Sequence, residues 1–323
     1  MRIMFFEGRG KMKTKILAVV GPTASGKSAL AIELARRLNG EIICCDSMQI
    51  YKQMNIGTAK PDQEELASAK HHLFDFADPL ESFSCADYIP YAQRTVEDIV
   101  SRGKLPIFCG GTGLYLDRFL SGAEFEETAI DTSFRDEMNE FARCYGNEAL
   151  HEKLREIDPI SADEIHPNNV KRVIRALEIY KTSGRTKSEL DRESKSFESK
   201  YDAIQIGIKF DDREKLYERI NLRVDKMLEM GLLEETKELL DGGVFEKNAT
   251  AAQAIGYKEL LSYFGGEKML EGAIEDLKQA TRRYAKRQMT WFSSHGNVKW
   301  LSADEKTLSE LADEAEKIIE ENM

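Results

Sequence analysis

Lys27 and Ser28 close the run Gly21, Pro22, Thr23, Ala24, Ser25, Gly26, Lys27, Ser28, which matches the phosphate-loop pattern G-x-x-x-x-G-K-[ST]. Consecutive backbone N–H groups in such a loop form an anion nest at a helix N-terminus. The lysine reaches the terminal phosphate and the Ser28 hydroxyl is placed to hold Mg²⁺. The loop implies a diphosphate or triphosphate and leaves open which one, and what becomes of it. A glycine turn capping an ordinary helix would not account for Lys27. Further on, the stretch CCDSMQIY puts Asp46, Ser47, Gln49 and Tyr51 within six residues. A carboxylate beside bound phosphates suits a general base or an outer-shell magnesium partner. A turn or helix-capping aspartate is the commoner role for Asp-Ser after a strand, but it leaves Gln49 and Tyr51 unexplained. A phosphoryl-transfer enzyme would add a metal-holding aspartate at a further strand end. The run LPIFCGGTGLY offers none there; Thr112, between glycines, supplies a hydroxyl instead.

The elements around these residues read as an α/β fold: a P-loop NTPase-like parallel sheet core flanked by helices, with an inserted small all-helical domain. KILAVV (15–20), EIICC (41–45) and LPIFCGG (105–111) are buried-strand runs. The first is followed by the helix SALAIELARRLN, which Gly40 is placed to cap, and the third is preceded by the amphipathic ADYIPYAQRTVEDIVSRG. Residues 13–125 and 201–323 are assigned to the core and 126–200, with helical periodicity and many charges, to the insertion. Residues 1–12 read as a disordered extension, with Met12 a second possible start. AIQIGIKF (203–210) alternates apolar and polar residues and is expected to be a more exposed strand. Helices are expected over 212–241, 252–264 and 270–294, then a short strand VKWLS and an acidic tail read as a solvated helix. Strand ends at the C-terminal edge of such a sheet face the ligand crevice, so Asp46 and the phosphate loop should share one rim.

The net charge of -11 argues at first against a nucleic-acid partner, but distribution matters more than the sum. Base concentrates in NNVKRVIRALEIYKTSGRTK (168–187) and KQATRRYAKRQMTWF (278–292); acid concentrates around Glu124 and in the tail. Either basic stripe alone reads most simply as a solvated helix face. The second carries no acid between Lys278 and Trp291, so it does not satisfy itself locally. The five cysteines show no C-x-x-C spacing and are expected to be reduced thiols, mostly core filler, with no structural zinc. His71 and His72, being adjacent, point apart and suit packing or capping. Trp291 and Trp300 are expected in the core. No apolar run approaches the roughly eighteen residues a membrane helix needs, and the opening lacks a signal-peptide core, so a cytoplasmic protein is expected.

GPTASGKS, DSMQIYKQMNIGTAKP, HHLFDFADP, FCGGTGLYL, IHPNNVKRVIRALEIY, RINLRVDKMLEMGLLEE, AIGYKEL and KRQMTWF follow one another from Lys13 to Trp300. In order and approximate spacing this set resembles the bacterial tRNA dimethylallyltransferase (IPP transferase) family. The resemblance implies transfer of a dimethylallyl group from its diphosphate to the exocyclic N6 amine of the adenosine 3′ to the anticodon in tRNA. It implies that Thr23 to Ser28 hold the diphosphate with Mg²⁺ and that Asp46 takes a proton from, or orients, the attacking amine. Lys27 and Arg223 would stabilise the leaving group. A base in an anticodon loop must be unstacked to be reached, and Ser47, Met48 and Gln49 would read it. Family positions add tRNA contacts at Thr112, Arg135, Lys171, Arg172, Val173, Ile174, Arg175, Gln253, Ala254, Ile255, Gly256, Tyr257 and Lys258. The insertion would clamp the anticodon stem-loop, and a monomer is expected. Arg219 and Arg223 stand i,i+4, a like-charge pair that calls for acids or an anion nearby; for Arg219, pairing with Glu218, Asp225 or Asp211 is expected. A small-molecule P-loop kinase and prenylation of free adenine nucleotides are the rival readings, and neither uses the basic stripes and the insertion. A non-catalytic RNA-binding module would have no use for Lys27 and Asp46 on one rim.

Overall fold

The computed structural model describes residues 13–122, 131–196, 198–294 and 297–322. They form two compact units, one from the chain up to Leu120 together with Lys200 onward, the other Ser121–Ser199. The extension at 1–12, the acidic run around Glu124 and the expected boundary at 125/126 lie outside the described residues.

In the first unit the chain runs β1 (Thr14–Val20), α1 (Lys27–Arg37), β2 (Gly40–Cys44), α2 (Gln63–Ser68), β3 (His71–His72), α3 (Cys85–Ser101), β4 (Leu105–Cys109) and α4 (Gly113–Ser121). The second unit supplies α5 (Thr132–Tyr145), α6 (Asn147–Ile157), α7 (Pro159–Glu164), α8 (Val170–Ser183) and α9 (Lys187–Ser196). The chain then returns to the first unit as β5 (Tyr201–Lys209), α10 (Arg213–Glu229), α11 (Leu232–Asp241), α12 (Val244–Lys247), α13 (Lys258–Phe264), α14 (Leu270–Ser294), β6 (Val298–Ser302) and α15 (Leu308–Asn322).

The strands form one sheet in the order β3-β2-β4-β1-β5-β6, parallel at every pairing. Ile16 to Val20 are at most 2 % exposed, as a central strand covered on both faces requires. Leu17, Val19, Ile42, Ile107, Ile206 and Ile208 pack against Leu30 and Leu34 of α1 and Leu311, Ala315 and Ile319 of α15. On the other face Phe108 meets Phe119 and Phe119 stacks on Tyr201, ring centroids 4.7 and 4.4 Å apart. β1 has β2 and β4 on one side and β5 and β6 on the other. Its C-terminal end is therefore the switch point at which such sheets open a crevice.

Four expectations are corrected. β5 is buried from Ile204 to Ile208, because β1 and β6 flank it and Trp300 lies over Gly207, where a Cβ would come within 2.6 Å of its ring. The acidic tail is an amphipathic helix: Leu311, Ala315 and Ile319, four apart, put an apolar stripe on the core, each large side chain contributing roughly 1.5–3 kcal/mol. Gly40 does not cap α1. Asn39 takes the left-handed position at φ 52, and Gly40 opens β2 against Ile107, whose Cδ1 would lie 2.5 Å from a Cβ there. Trp291 and Trp300 are only half-buried. His71 and His72 add a two-residue strand on β2; His72 Nε2 lies 2.7 Å from a carboxylate oxygen of Glu41, and His71 Nδ1 2.8 Å from Ala69 O. Cys44, Cys45 and Cys109 are buried, Cys85 is partly buried and Cys144 is exposed.

The helices of the second unit close on Met138, Leu150, Leu154, Val173, Ile174 and Leu177. Glu178, fully buried among them, accepts from Arg135 Nε and Nη2 at 2.8 Å and from Arg175 Nη1 at 2.5 Å. A carboxylate so buried needs such partners.

Candidate active site

The phosphate loop leaves β1 at Val20 and enters α1 at Lys27. Gly21, at φ +143, passes so close to β5 that a Cβ would lie 2.7 Å from Ile208 O, and Gly26, at φ +95, caps α1. Lys27 Nζ folds back to donate to Pro22 O at 3.3 Å. Burial pushes the Lys27 pKa below that of an ordinary lysine; Arg223 pushes the same way, and Cys109 and Asp46 oppose. An ammonium short of solvation gains from an anion brought beside it. Ser25 Oγ is buried with no hydrogen-bond partner among the described residues.

β2 ends at the adjoining edge and delivers Asp46. Its Oδ1 accepts the Met48 N–H at 3.0 Å, so one oxygen holds the turn, while Oδ2 has no hydrogen bond among the described residues. Gly110 lets the ends of β2 and β4 approach: a Cβ there would lie 2.0 Å from Cys45 O. Thr112 then donates its N–H to Cys45 O at 3.1 Å and accepts the Ser47 N–H on Oγ1 at 3.0 Å, fixing the Asp46-Ser47 backbone from below. Gln49 spends both N–H groups of its amide on Thr58 O and Ala59 O, at 3.0 and 2.9 Å. Reading a base with those donors would require breaking both bonds; Oε1, with only the Cys44 thiol 3.8 Å away, is the end that remains. Tyr51 is fully buried and its hydroxyl accepts from Phe83 N at 3.0 Å, a packing role.

α10 lays Arg219 and Arg223 along the phosphate loop. Arg223 Nη1 reaches Thr23 Oγ1 at 3.4 Å, and Arg219 Nε donates to Ala24 O at 2.9 Å instead of pairing with Glu218, Asp225 or Asp211. Asp225 is taken by Lys278 and Asp211 by Lys209. Burial lowers the Arg223 pKa, Arg219 adding to the effect and Asp46 opposing it. The second basic stripe lies on α14. Lys278 and Arg282 are paired, the latter with Glu275 at 2.8 Å, whereas Arg283 and Arg287 have no carboxylate partner among the described residues. Gln288, 3 % exposed, accepts the Thr23 N–H at 2.8 Å and donates to Gly111 O at 3.1 Å, tying the phosphate loop to the turn after β4.

These groups line one cavity of about 490 Å³ within the first unit. Thr23, Lys27, Ser28, Asp46, Ser47, Met48, Gln49 and Arg223 face it, as do Gln253, Ala254, Ile255, Gly256 and Lys258. Tyr257 does not; it is fully buried with its hydroxyl on Glu235. Ile220, Val224, Met227, Leu277 and Ala280, from α10 and α14, make part of the wall apolar. Arg283, Tyr284, Arg287 and Gln288 also line it and were not assigned to the site from the sequence, although Arg287 and Gln288 lie in the KRQMTWF run. Burial and the nearby Asp46 raise the Tyr284 pKa. Arg135, Lys171, Arg172, Val173, Ile174 and Arg175 all belong to the second unit. There Val173 and Ile174 are core residues without side-chain surface for a partner, Arg135 and Arg175 are held by Glu178, and Lys171 and Arg172 are exposed.

A two-cation rim, an oxygen-rich turn and an apolar wall suit a ligand that is anionic at one end and hydrocarbon at the other, and comparison with known proteins points the same way. Residues 49–295 match the family model described as IPP transferase, and residues 14–83 match one described as isopentenyl transferase. A tRNA dimethylallyltransferase of Acetivibrio thermocellus is 52 % identical over 290 residues, 90 % of this chain and 92 % of the relative. That of Caldanaerobacter subterraneus subsp. tengcongensis is 46 % identical over 302 residues, 93 % and 96 % of the two chains. Among solved structures, the full-length tRNA isopentenylpyrophosphate transferase of Bacillus halodurans aligns with a TM-score of 0.72 at 44 % identity, covering 96 % of this chain and 97 % of that one. A eukaryotic dimethylallyltransferase acting on tRNA gives 0.78 at 32 % identity, over 95 % and 77 %. With its fold, its cavity and most of its length matched, this chain belongs to the IPP transferase family.

Proposed function

We propose that this chain transfers a dimethylallyl group from dimethylallyl diphosphate to the N6 amine of the adenosine 3′ to the anticodon in tRNA, leaving N6-isopentenyladenosine and diphosphate. The observation that carries the reading is the convergence of Lys27, Arg223 and Asp46 on one cavity with an apolar wall. Lys27, Arg223 and the loop N–H groups hold the diphosphate and take up the charge that grows on it as the C1–O bond breaks. The N6 lone pair forms the new bond to C1. The amine proton passes to Asp46 Oδ2, the oxygen that the turn leaves over. The Ser28 hydroxyl, at the cavity beside Lys27, suits a hard divalent cation, Mg²⁺, and the buried Ser25 Oγ, without a hydrogen-bond partner among the described residues, shows hydrogen-bonding capacity to spare in the loop. Mg²⁺, when bound, would neutralise part of the diphosphate charge. The Ile220, Val224, Met227, Leu277 and Ala280 surface offers the hydrocarbon group an apolar neighbourhood.

Arg283 and Arg287 on α14, with Lys258, offer the RNA backbone positive charge at the cavity, and Lys171 and Arg172 offer it on the inserted helical unit. We assign the anticodon stem-loop to these surfaces. The cavity is built from one chain, so a monomer suffices as the catalytic unit, and no described helix is long and apolar enough to cross a membrane. We assign the reaction to tRNA in the cytoplasm. The test is incubation with Mg²⁺, dimethylallyl diphosphate and unmodified tRNA, with nucleoside mass spectrometry as the readout. A prenylated adenosine at that position is expected. Product from free adenine nucleotides alone, or phosphate release from ATP, would overturn the assignment.

A further inference from the structure

The segment between Tyr51 and Pro61 supplies Gly57, Thr58, Ala59 and Pro61 to the cavity wall, yet it belongs to no helix or strand. Gln53 and Ala59 sit at φ 64 and 55, a region non-glycine residues avoid, so the loop must be held from outside. Glu235 of α11 holds it. One carboxylate accepts three consecutive backbone N–H groups: Asn55 at 2.9 Å, Ile56 at 2.9 Å and Gly57 at 3.0 Å. The Tyr257 hydroxyl donates to the same Oε1 at 2.7 Å. The Tyr257 ring packs on Gly57 so closely that a Cβ there would lie 2.4 Å from Cζ, and a Cβ on Gly256 would lie 2.7 Å from Gly57 O. The two wall segments, 55–59 and 253–258, are thereby fixed to each other through Glu235 and Tyr257. The same loop presents the Thr58 and Ala59 carbonyls that accept from the Gln49 amide and orient it.

We infer that Glu235, with Tyr257, is a positioning residue for the adenosine side of the reaction. By fixing the 55–59 backbone it sets which end of Gln49 the incoming base meets. This rests on the proposed tRNA prenyl transfer, and it assigns Glu235 no contact with either substrate. The phosphate loop is bonded through Gln288 and Arg223 and does not depend on this clamp.

In Glu235→Gln an amide NH₂ faces backbone donors that the second carboxylate oxygen served. The KM for tRNA should rise about tenfold while that for dimethylallyl diphosphate stays within about threefold, and amide exchange at Asn55 to Gly57 should quicken about tenfold. Glu235→Asp, which keeps the carboxylate, should recover part of the tRNA KM. Equal rises in both KM values, unchanged exchange, or an aspartate variant no better than glutamine would overturn the inference, since a brace serving stability alone does not separate the substrates. Should Glu235→Gln fail to fold, Tyr257→Phe decides: a rise of about threefold in tRNA KM is expected from the lost bond, and no change overturns the clamp. A wild-type protein that does not prenylate tRNA refutes the functional reading, whereas the exchange measurement still tests the clamp.

Discussion

Gln288→Met removes the link between the phosphate loop and the turn after β4 while keeping the side chain's length. In the native structure Oε1 accepts the Thr23 N–H at 2.8 Å, Nε2 donates to Gly111 O at 3.1 Å, and the residue is 3 % exposed. Methionine fills the same space, so no cavity penalty enters. Two backbone groups lose their partners, at about 1–3 kcal/mol each, or ~2–6 kcal/mol together. For a domain of this size class that corresponds to a melting point lowered by roughly 5–20 °C. Without its brace the phosphate loop is no longer held at Thr23, so the KM for dimethylallyl diphosphate should rise as well. Gln288→Glu sharpens the test. It keeps an acceptor for Thr23 N–H but sets an oxygen against Gly111 O, and should be at least as damaging. Thermal melts with steady-state kinetics settle the matter. A Gln288→Met protein melting within about 2 °C of wild type, or one binding the diphosphate more tightly, would show that Gln288 competes with the ligand for Thr23 instead of placing the loop.

Asp46→Asn keeps an oxygen for the Met48 N–H, so stability and tRNA affinity should hold while kcat falls by about 10²–10⁴-fold in single-turnover assays; lost stability with kcat intact would assign Asp46 to the turn alone. Charge removal at the exposed Lys171 and Arg172 should weaken tRNA binding and reduce the salt dependence of log K by about one for each lost phosphate contact; an unchanged slope would remove the inserted unit from the interface. Glu41 is 1 % exposed and receives Arg102 at 2.5 Å, Lys104 at 2.8 Å and His72 at 2.7 Å, and the Arg102 bonds first among these hold its pKa well below the usual carboxylate range. A depressed carboxylate stabilises above its unfolded pKa and loses that contribution as the pH falls. Glu41→Gln should therefore cost about 3–5 kcal/mol in urea melts at neutral pH, the gap closing below about pH 4. A gap independent of pH would refute the ionic account.

What the sequence made legible was local. The phosphate loop is contiguous, Asp46 follows an apolar run, and β1, β2 and β4 are short apolar blocks, so each carries its signal within a few residues. What escaped depends on partners far along the chain. Gln288 meets Thr23 across 265 residues and Glu235 meets Ile56 across 179, and neither residue type announces such a partner. β5 looked exposed because its alternation counts Gln205 and Gly207 as polar, when Gly207 is the space that Trp300 fills. α15 looked solvated because its acids outnumber the stripe Leu311, Ala315, Ile319 that anchors it. In α8 a contiguous run was assigned to tRNA as a block, but a helix turns Lys171 and Arg172 outward while Val173 and Ile174 face the core, so only part of any such run can touch a partner.

The same distinction separates chemistry from placement in the cavity. Lys27, Arg223 and Asp46 supply charge, and charge is readable from residue type and motif. Gln288, Thr112 and Glu235 supply no charge to the proposed reaction centre; they spend their polar atoms on backbone, holding Thr23, Ser47 and the 55–57 loop. Each of the three cavity segments is thus bonded to a residue outside it. A substitution among the first group should change the chemical step with the fold intact. One among the second should change KM and stability together, and which substrate's KM moves identifies the segment that was released.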